Sequence, residues 1–303
     1  MWYRRLAHSR LFQVSALAFL FAGIYPLLRS LPNAECAFLH YDYVGEAAGG
    51  AEYCGTNEAA YLNLERLKFP VEVSLDAVDV PRPGERCEFN ISFTTSRGDL
   101  LKPWELAVVH TEKIHLLLVD PSLEDYHHVH PEPIGMSGQY RFAMTPQRSG
   151  SYKLFAEIVP LVSRSVVVGK ATFDVTGSAG SPKPGDNYRS EVEGFSFVLV
   201  PGGGRLLLGV NNLLHLKVML PVADQLVQLE KVMGTYAHMV AFDENRNGFA
   251  HMHPLDEGTG LGTAESSFGF SLNTDTAGYY KVWAQIRSGG RDIFAPFDVI
   301  IDR

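Results

Sequence analysis

The sequence has few cysteines and no excess of basic residues, and both shortages limit what the protein does. It holds three cysteines in 303 residues. A chain of this length has room for about two domains. Each domain can bury its own core, so neither a disulfide nor a metal is needed for folding as such. Lys and Arg number 26 against 34 Asp and Glu, for a net charge of -8. Because nucleic acid is bound by a basic surface, this balance argues against nucleic acid as a partner.

The sequence also lacks the motifs that mark common enzyme classes. It contains no paired carboxylates, no nucleophile elbow, no phosphate-binding loop and no nucleotide fingerprint. A three-histidine zinc site with an open position can activate water, which leaves a single route to catalysis. The sequence therefore predicts a protein that is not an enzyme.

The N-terminus has the pattern of an export signal. Arg4, Arg5 and Arg10 precede residues 11–28, a charge-free run that is close to the lower limit for crossing a bilayer. Basic residues stay on the cytoplasmic side, so the pattern predicts a single-pass transmembrane helix with residues 31–303 in the periplasm or outside the cell. A cleaved signal peptide is the alternative interpretation.

The three cysteines carry different expectations. Outside the cytoplasm, Cys36 and Cys54 are the candidate disulfide pair, and Cys36 is also a candidate for lipidation. Cys87 belongs to the alternating run CEFNI, which is typical of a strand, so we expect a buried thiol there. The odd number of cysteines leaves the pairing open.

From Phe69 onward the sequence has the pattern of an all-β protein. Short runs rich in β-branched and aromatic residues, such as VEVSLDAV and YKLFAEI, are separated by Gly, Pro, Asp and Ser. Strands at this spacing predict β-sandwiches. Ahead of them, residues 57–67 predict a short helix with Asn57 as its cap.

The composition divides the chain into five parts. Residues 1–30 are the signal anchor or signal peptide, and residues 31–68 are a cysteine-containing segment with the short helix. Residues 69–176 form the first predicted sandwich. Residues 177–193 have the Gly, Ser and Pro composition of a linker. Residues 194–303 form the second sandwich.

The central observation is an internal repeat. HLLLVDPSLEDYHHVHP at 115–131 aligns without a gap with HMVAFDENRNGFAHMHP at 238–254. A later block, GSYKLFAEI at 150–158, matches GYYKVWAQI at 278–286. The repeat predicts two tandem immunoglobulin-like or cupredoxin-like sandwiches. The identical positions of the first block are His115 with His238, Asp120 with Asp243, His128 with His251, His130 with His253, and Pro131 with Pro254.

The tyrosine of the later block has a structural interpretation. Tyr152 and Tyr280 each follow a glycine closely at the start of a predicted strand. In the tyrosine corner of immunoglobulin-like sandwiches, such a hydroxyl binds the backbone a few residues upstream. We therefore expect both hydroxyls to hold a crossing loop and to take no part in chemistry.

The three histidines of each copy are predicted to converge. In the first copy, residues 114–119 and 126–130 pair as an antiparallel hairpin in which His115 lies opposite His130. His128 and His130 are two residues apart and share one face of their strand. All three imidazoles then point to one patch, whereas a one-residue slip in register would move His115 to the other face.

Three imidazoles within a few ångströms suit Zn²⁺ or Cu²⁺, because the ring is neutral at pH 7 and its nitrogen is a borderline ligand. Asp120 and Asp243 either orient a ligating ring or cap the hairpin turn. The alternative is purely structural histidines at strand ends that Pro131 and Pro254 terminate. The candidate metal ligands are His115, His128 and His130 in the first copy and His238, His251 and His253 in the second.

The remaining histidines give no repeated pattern. His127 aligns with Ala250, so we expect His127 at the surface. No matched partner exists for His40, His110 or His215. These residues are therefore not predicted to belong to the site.

The second copy resembles a known group of proteins. LEKVMG at 229–234, His238 and HMHP at 251–254 are similar to poorly characterised secreted bacterial immunoglobulin-like domains with a Leu-Glu…Gly…His…His-x-His-Pro…Gly-x-Tyr pattern. Some of those domains accompany copper- or heavy-metal-handling modules. The resemblance covers residues 226–299 and, less closely, 106–175. It implies an immunoglobulin-like fold and a connection with metal handling.

Together these patterns predict a membrane-tethered envelope protein that is not an enzyme. It would bind a transition metal, copper or zinc, through the three-histidine patch of each sandwich. The alternative is a structural or interaction subunit of a membrane-associated complex, in which the histidines only hold the hairpins together.

Overall fold

The computed structural model describes residues 10–30, 58–220 and 226–303. Several sequence-based predictions lie outside these ranges. They are the disulfide between Cys36 and Cys54, the lipidation of Cys36, and the cap at Asn57. These three remain predictions.

The N-terminal segment forms one helix, α1 (Arg10–Ser30), in a unit separate from residues 43–303. A membrane span needs about 20 consecutive apolar residues, and the charge-free run inside α1 extends over 11–28. Among the residues that the structure describes, no helix is both long enough and apolar enough to cross a membrane. The structure therefore does not support the predicted transmembrane anchor.

The short helix predicted over 57–67 is wrong for its described part. Two short strands replace it, β1 (Glu58–Ala60) and β2 (Leu62–Asn63). They pair with residues 271–273 and 248–249, which belong to sheets of the second half of the chain. Tyr61, between the strands, is buried in the core of that half. Tertiary pairing has thus overridden the local helix propensity.

The first sandwich consists of two four-stranded sheets. Their strand orders are β3-β4-β8-β7 and β10-β9-β5-β6. A short 3-10 turn at Pro103–Glu105 precedes the central hairpin. The strands are β3 (Val71–Ala77), β4 (Cys87–Thr95), β5 (Ile114–Val119), β6 (Tyr126–Val129), β7 (Glu132–Pro133), β8 (Gln139–Met144), β9 (Gly150–Ile158) and β10 (Val167–Val175).

The second sandwich repeats this arrangement with larger sheets. Their orders are β1-β17-β14-β12-β11 and β13-β19-β18-β15-β16-β2. The all-β prediction is therefore confirmed for residues 58–220 and 226–303. The strands are β11 (Arg189–Val192), β12 (Phe195–Pro201), β13 (Leu206–Leu207), β14 (Asn212–Met219), β15 (Ala237–Asp243), β16 (Gly248–Met252), β17 (Glu265–Asn273), β18 (Gly278–Ser288) and β19 (Arg291–Asp302).

Each sandwich has its own apolar core, built by alternation along its strands. In β4 every second side chain is buried, and Cys87, Phe89 and Ile91 point into the first core. Cys87 is a free, buried thiol, as the sequence predicts. The corresponding core of the second sandwich includes Phe197 and Phe268. Strand alternation therefore accounts for both cores.

The predicted tyrosine corners are both present. The Tyr152 hydroxyl donates to the carbonyl of Arg148 at 3.1 Å, and the Tyr280 hydroxyl donates to the carbonyl of Thr276 at 3.1 Å. Both tyrosines are fully buried. Their hydroxyls hold the loop that leads into the strand, as in immunoglobulin-like sandwiches.

The feature that positions the site is a third apolar cluster, which lies between the two sandwiches. Every residue of β5 is buried, because Leu116 and Leu118 face the first core while Leu117 and Val119 face the second sandwich. A strand that is covered on both faces has a continuous run of apolar residues in its sequence. The cluster joins Leu117, Val119, Tyr126 and Phe155 of the first sandwich to Val240, Phe242, Phe249 and Trp283, the matching residues of the second.

Candidate metal centre

The hairpins that carry the histidines have the predicted register. Leu117 lies opposite His128 in the first sandwich, and Val240 lies opposite His251 in the second. Because side chains alternate along a strand, the histidines share the face that carries the apolar interface. The site therefore lies where the two sandwiches meet, a location that the sequence did not indicate.

The first three histidines come together as predicted. His115 Nδ1 lies 3.3 Å from His128 Nε2 and 3.2 Å from His130 Nε2. The edge of a tetrahedron around a metal with bonds of 2.0–2.1 Å to nitrogen is about 3.3 Å. Among the residues that the structure describes, this trio is the group whose ligand atoms all lie within 4.8 Å of one another. The spacing therefore fits one tetrahedrally coordinated ion.

Hydrogen bonds on the far side of two rings define where their protons lie. His115 Nε2 is 3.0 Å from the carbonyl oxygen of Val109 and must donate to it. His128 Nδ1 is 3.0 Å from Oε1 of Gln285, while the Gln285 side chain also makes a hydrogen bond with the carboxylate of Asp292. The amide nitrogen of Gln285 donates to Asp292, so Oε1 of Gln285 accepts the proton of His128 Nδ1. His115 Nδ1 and His128 Nε2 therefore both carry lone pairs.

Burial keeps these rings neutral. It lowers the pKa of His115 and His128 well below the ordinary value. Burial also lowers the pKa of His130 to about 4. Neutral imidazole is the form that binds a metal, so the trio is ready to act as a ligand set at pH 7.

The second trio is close but arranged differently. The ring centroids are 5.0 Å apart for His238 and His253 and 4.7 Å apart for His251 and His253. His251 Nδ1 lies 2.6 Å from the Glu157 carboxylate, in the other sandwich. The Nε2 atoms of His251 and His253 are buried and have no hydrogen-bond partner. Burial also lowers the pKa of His238 and His253 well below the ordinary value.

The two trios form one cluster across the interface. The His251 ring centroid lies 5.2 Å from that of His128 and 5.9 Å from that of His115. These separations are similar to the 5.5 Å between the rings of His115 and His128 themselves. The repeat alignment could not show this, because it compares the copies without placing them side by side.

A seventh histidine, His110, was not predicted to belong to the site. Its ring stacks on His253 with centroids 3.9 Å apart, and burial lowers its pKa to about 4. His110 lies in a tight turn with a positive φ of 48°, and the matching turn of the second copy places Met233 there at 51°. Only the turn geometry is repeated, so the repeat carries no signal for this histidine.

The aspartates that are identical in the two hairpin turns, Asp120 and Asp243, act as caps. Asp120 accepts hydrogen bonds from the backbone amides of Ser122 and Asp125 at 2.9 Å, and Asp243 accepts from that of Asn247 at 2.6 Å. Of the two alternatives, turn capping is the one that these contacts show. Glu157 and Gln285 are the residues that orient histidine rings.

His127 and His215 stay outside the cluster, as predicted. His127 is partly buried, and its Nε2 lies 3.0 Å from the Asp125 carboxylate. It therefore sits beside the hairpin turn and not on the open surface. His215 is a partly buried residue of β14 in the outer sheet of the second sandwich.

Comparison with known proteins gives a family without a stated function. A family model described as a domain of unknown function (DUF8832) matches residues 69–177 and, again, residues 190–303. No curated protein matches the chain. The family description mentions neither a histidine pattern nor copper, so those parts of the resemblance remain predictions.

Similar solved structures are distant. A red sea bream transglutaminase has 8% identity and a TM-score of 0.24, with coverage of 79% of this chain and 32% of that one. Dimeric latent PorU from Porphyromonas gingivalis has 11% identity and a TM-score of 0.23, with coverage of 77% and 24%. A Salmonella alpha-2-macroglobulin mutant has 15% identity and a TM-score of 0.26, with coverage of 77% and 15%. This chain thus spans at most about a third of those proteins, and such low scores carry no argument about function.

Proposed function

Because the chain belongs to the family of the domain of unknown function DUF8832 and carries that domain twice, we propose a function from the site itself: binding of a transition-metal ion, copper or zinc, by His115, His128 and His130. The protein is a binding protein and not an enzyme. One observation carries the proposal. Two unprotonated nitrogens, His115 Nδ1 and His128 Nε2, face each other at 3.3 Å inside the protein.

That arrangement is unfavourable without a cation. Neither nitrogen can donate to the other, since each ring uses its proton on Val109 or Gln285. His130 Nε2 lies 3.2 Å from His115 Nδ1 and can donate to it, but His128 Nε2 then still has no donor. A buried acceptor without a donor costs about 1–3 kcal/mol, and close lone pairs add repulsion. A metal ion between the nitrogens removes both costs. Imidazole nitrogen suits Zn²⁺ and Cu²⁺, so the donor set favours these two metals.

The alternative function is a structural or interaction subunit whose histidines only hold the sandwiches together. Two contacts favour it, because His128 reaches Gln285 and His251 reaches Glu157 across the interface. A structural histidine would pair a donor with an acceptor, as His251 and Glu157 do. The facing lone pairs of His115 and His128 do not follow that rule, so metal binding is the better account. A second ion at His238, His251 and His253 remains a prediction from the repeat.

The location outside the cytoplasm is also a proposal. It is supported by the order of basic and apolar residues at the N-terminus, which fits a cleaved signal peptide. Protease added to intact spheroplasts should digest residues 58–303. Complete protection of an epitope at the C-terminus would show that the location is wrong.

Metal titration of the purified full-length chain tests the binding function. After treatment with chelator, the protein is titrated with Zn²⁺ and with Cu²⁺ at pH 7.5, and bound metal is measured by elemental analysis. We expect at least one equivalent, and loss of that equivalent in the double variant His128→Ala/His130→Ala. The matched control, His127→Ala, changes the neighbouring histidine of the same hairpin and should bind as the wild type does. Absence of bound metal in the wild type would leave the structural alternative.

A further inference from the structure

The trio of the first sandwich supplies three ligands, and a tetrahedral ion needs a fourth. His251 of the second sandwich is the nearest candidate that is not already in the trio. Its ring centroid lies 5.2 Å from that of His128 and 5.9 Å from that of His115. The side chain is only 5% exposed. Both hairpins are packed on the same apolar interface.

The hydrogen bond of His251 leaves the required nitrogen free. Its Nδ1 lies 2.6 Å from Oε2 of Glu157, and a carboxylate can only accept, so Nδ1 carries the proton. In the neutral ring Nε2 is then the unprotonated nitrogen, and it is buried without a hydrogen-bond partner. A carboxylate that holds the far nitrogen of a histidine is the usual support for a metal ligand, since it sets the tautomer and raises the basicity of the ring.

We propose that His251 is the fourth ligand of the ion held by His115, His128 and His130, and that the ion therefore bridges the two sandwiches. This inference rests on the proposed function. Its ligand nitrogen lies outside the group of nitrogens within 4.8 Å, so the ring closes on the ion when metal binds. Glu157 is a positioning residue in this arrangement, because it acts on the metal only through His251.

The bridge has two consequences for function. Three protein ligands with an open position are typical of catalytic zinc, whereas four are typical of a closed site that binds or stabilises. A closed four-histidine site leaves no position for a reacting water, which agrees with a protein that is not an enzyme. It also links metal occupancy to the contact between the sandwiches, because His251 and the trio come from different repeats.

His215 provides a control in the same sandwich as His251. It is a partly buried histidine of β14, in the sheet that does not carry the hairpin of His251. It lies outside the histidine cluster. The two residues therefore differ in the property that the inference uses, which is proximity to His115 and His128.

Cobalt substitution of the full-length chain tests the inference. Co²⁺ bound by four nitrogens gives strong visible absorption, and replacing one ligand by water weakens and shifts it. His251→Ala should weaken this absorption and raise the dissociation constant for Zn²⁺ by at least about tenfold. His215→Ala should leave both within about twofold. Glu157→Gln should raise the dissociation constant by about 10–100-fold through the loss of the supporting carboxylate.

Three outcomes would overturn the inference, and they are distinguishable from failure of the proposed function. Equal behaviour of His251→Ala and His215→Ala, with binding that still depends on His128 and His130, would leave a three-histidine site. Two ions in the wild type, one of which His251→Ala removes, would assign His251 to a separate second site. No metal in the wild type would remove the proposed function as well. If His251→Ala does not fold in chelator, His251→Gln keeps a side chain that can donate to Glu157 and allows the same comparison.

Discussion

Glu157 and Gln285 occupy equivalent positions of the repeat, and each holds the δ nitrogen of a histidine that belongs to the other sandwich. Glu157 binds His251 at 2.6 Å, and Gln285 binds His128 at 3.0 Å. The two contacts cross the interface in opposite directions, as in a symmetric dimer whose subunits were joined in one chain. The pair differs in charge, so the two halves of the histidine cluster are electrostatically unequal.

The first prediction concerns Gln285. Gln285→Leu removes the acceptor of the His128 Nδ1 proton, so the ring loses the contact that defines its tautomer and orientation. We expect the dissociation constant for Zn²⁺ to rise by about 10–100-fold. Isothermal titration of the full-length chain measures it, with the exposed Gln139→Leu as control. An unchanged constant in Gln285→Leu would mean that the tautomer of His128 does not depend on this contact.

The second prediction is that acid destabilises the metal-free protein. The pKa values of His110 and His130 fall to about 4 in the folded state because the rings are buried, compared with about 6.5 in an unfolded chain. Between these values the unfolded chain binds more protons, so the free energy of unfolding decreases as the pH falls from 6.5 to 4. Each such group contributes a slope of about 1.4 kcal/mol per pH unit within that window.

Urea unfolding in chelator at pH 7.5, 6, 5 and 4.5 measures this dependence. His110→Phe keeps an aromatic ring against His253 and removes one titrating group, so its stability should fall less steeply with acid. A free energy of unfolding that is constant from pH 7.5 to 5 would contradict the burial of neutral histidines.

The third prediction concerns the apolar interface. Polypeptides of residues 58–176 and 187–303, which keep β1, β2 and β11 whole, each expose the face that carries Leu117 or Phe242 when made separately. An exposed apolar patch of this kind favours association, so the two should form a one-to-one complex when mixed. Size-exclusion chromatography with light scattering measures the mass. Phe242→Asp in the second polypeptide places a charge at the centre of the contact and should abolish the complex. If the unsubstituted pair stays separate, the contact is too weak to form without the linker.

The fourth prediction concerns the tyrosine corners. Tyr152→Phe removes the hydroxyl that donates to Arg148, and Tyr280→Phe removes the one that donates to Thr276. Each substitution removes a hydrogen bond that holds the loop, and we expect a decrease of about 1–3 kcal/mol in the free energy of unfolding. Metal affinity should not change, because neither residue is in contact with the histidines. Tyr236→Phe, at a partly buried position, is the control and should have little effect. A decrease in metal affinity without loss of stability would assign the corners a role in the site.

The sequence by itself determined the all-β fold, the tyrosine corners and the register of the two hairpins. These follow from local patterns, because alternation defines the faces of a strand and the spacing of His115, His128 and His130 depends only on one turn. Local propensity failed at 58–63, where a predicted helix is replaced by two strands that complete distant sheets. Pairing partners about 200 residues away cannot be read from a short window.

Only the tertiary structure decided that the two trios share one cluster. The apolar run of β5 is also compatible with burial in a single core. Its sequence does not indicate which face packs against its own sandwich and which packs against the other sandwich. Packing of Leu117 and Val119 against Val240 and Phe242 brings the hairpins together. It also brings His110, Glu157 and Gln285 to the histidines, although none of them is identical between the two copies. The ligand set depends on the contact between the two sandwiches. A sequence pattern describes the faces of one strand and does not indicate which strands of the two sandwiches meet.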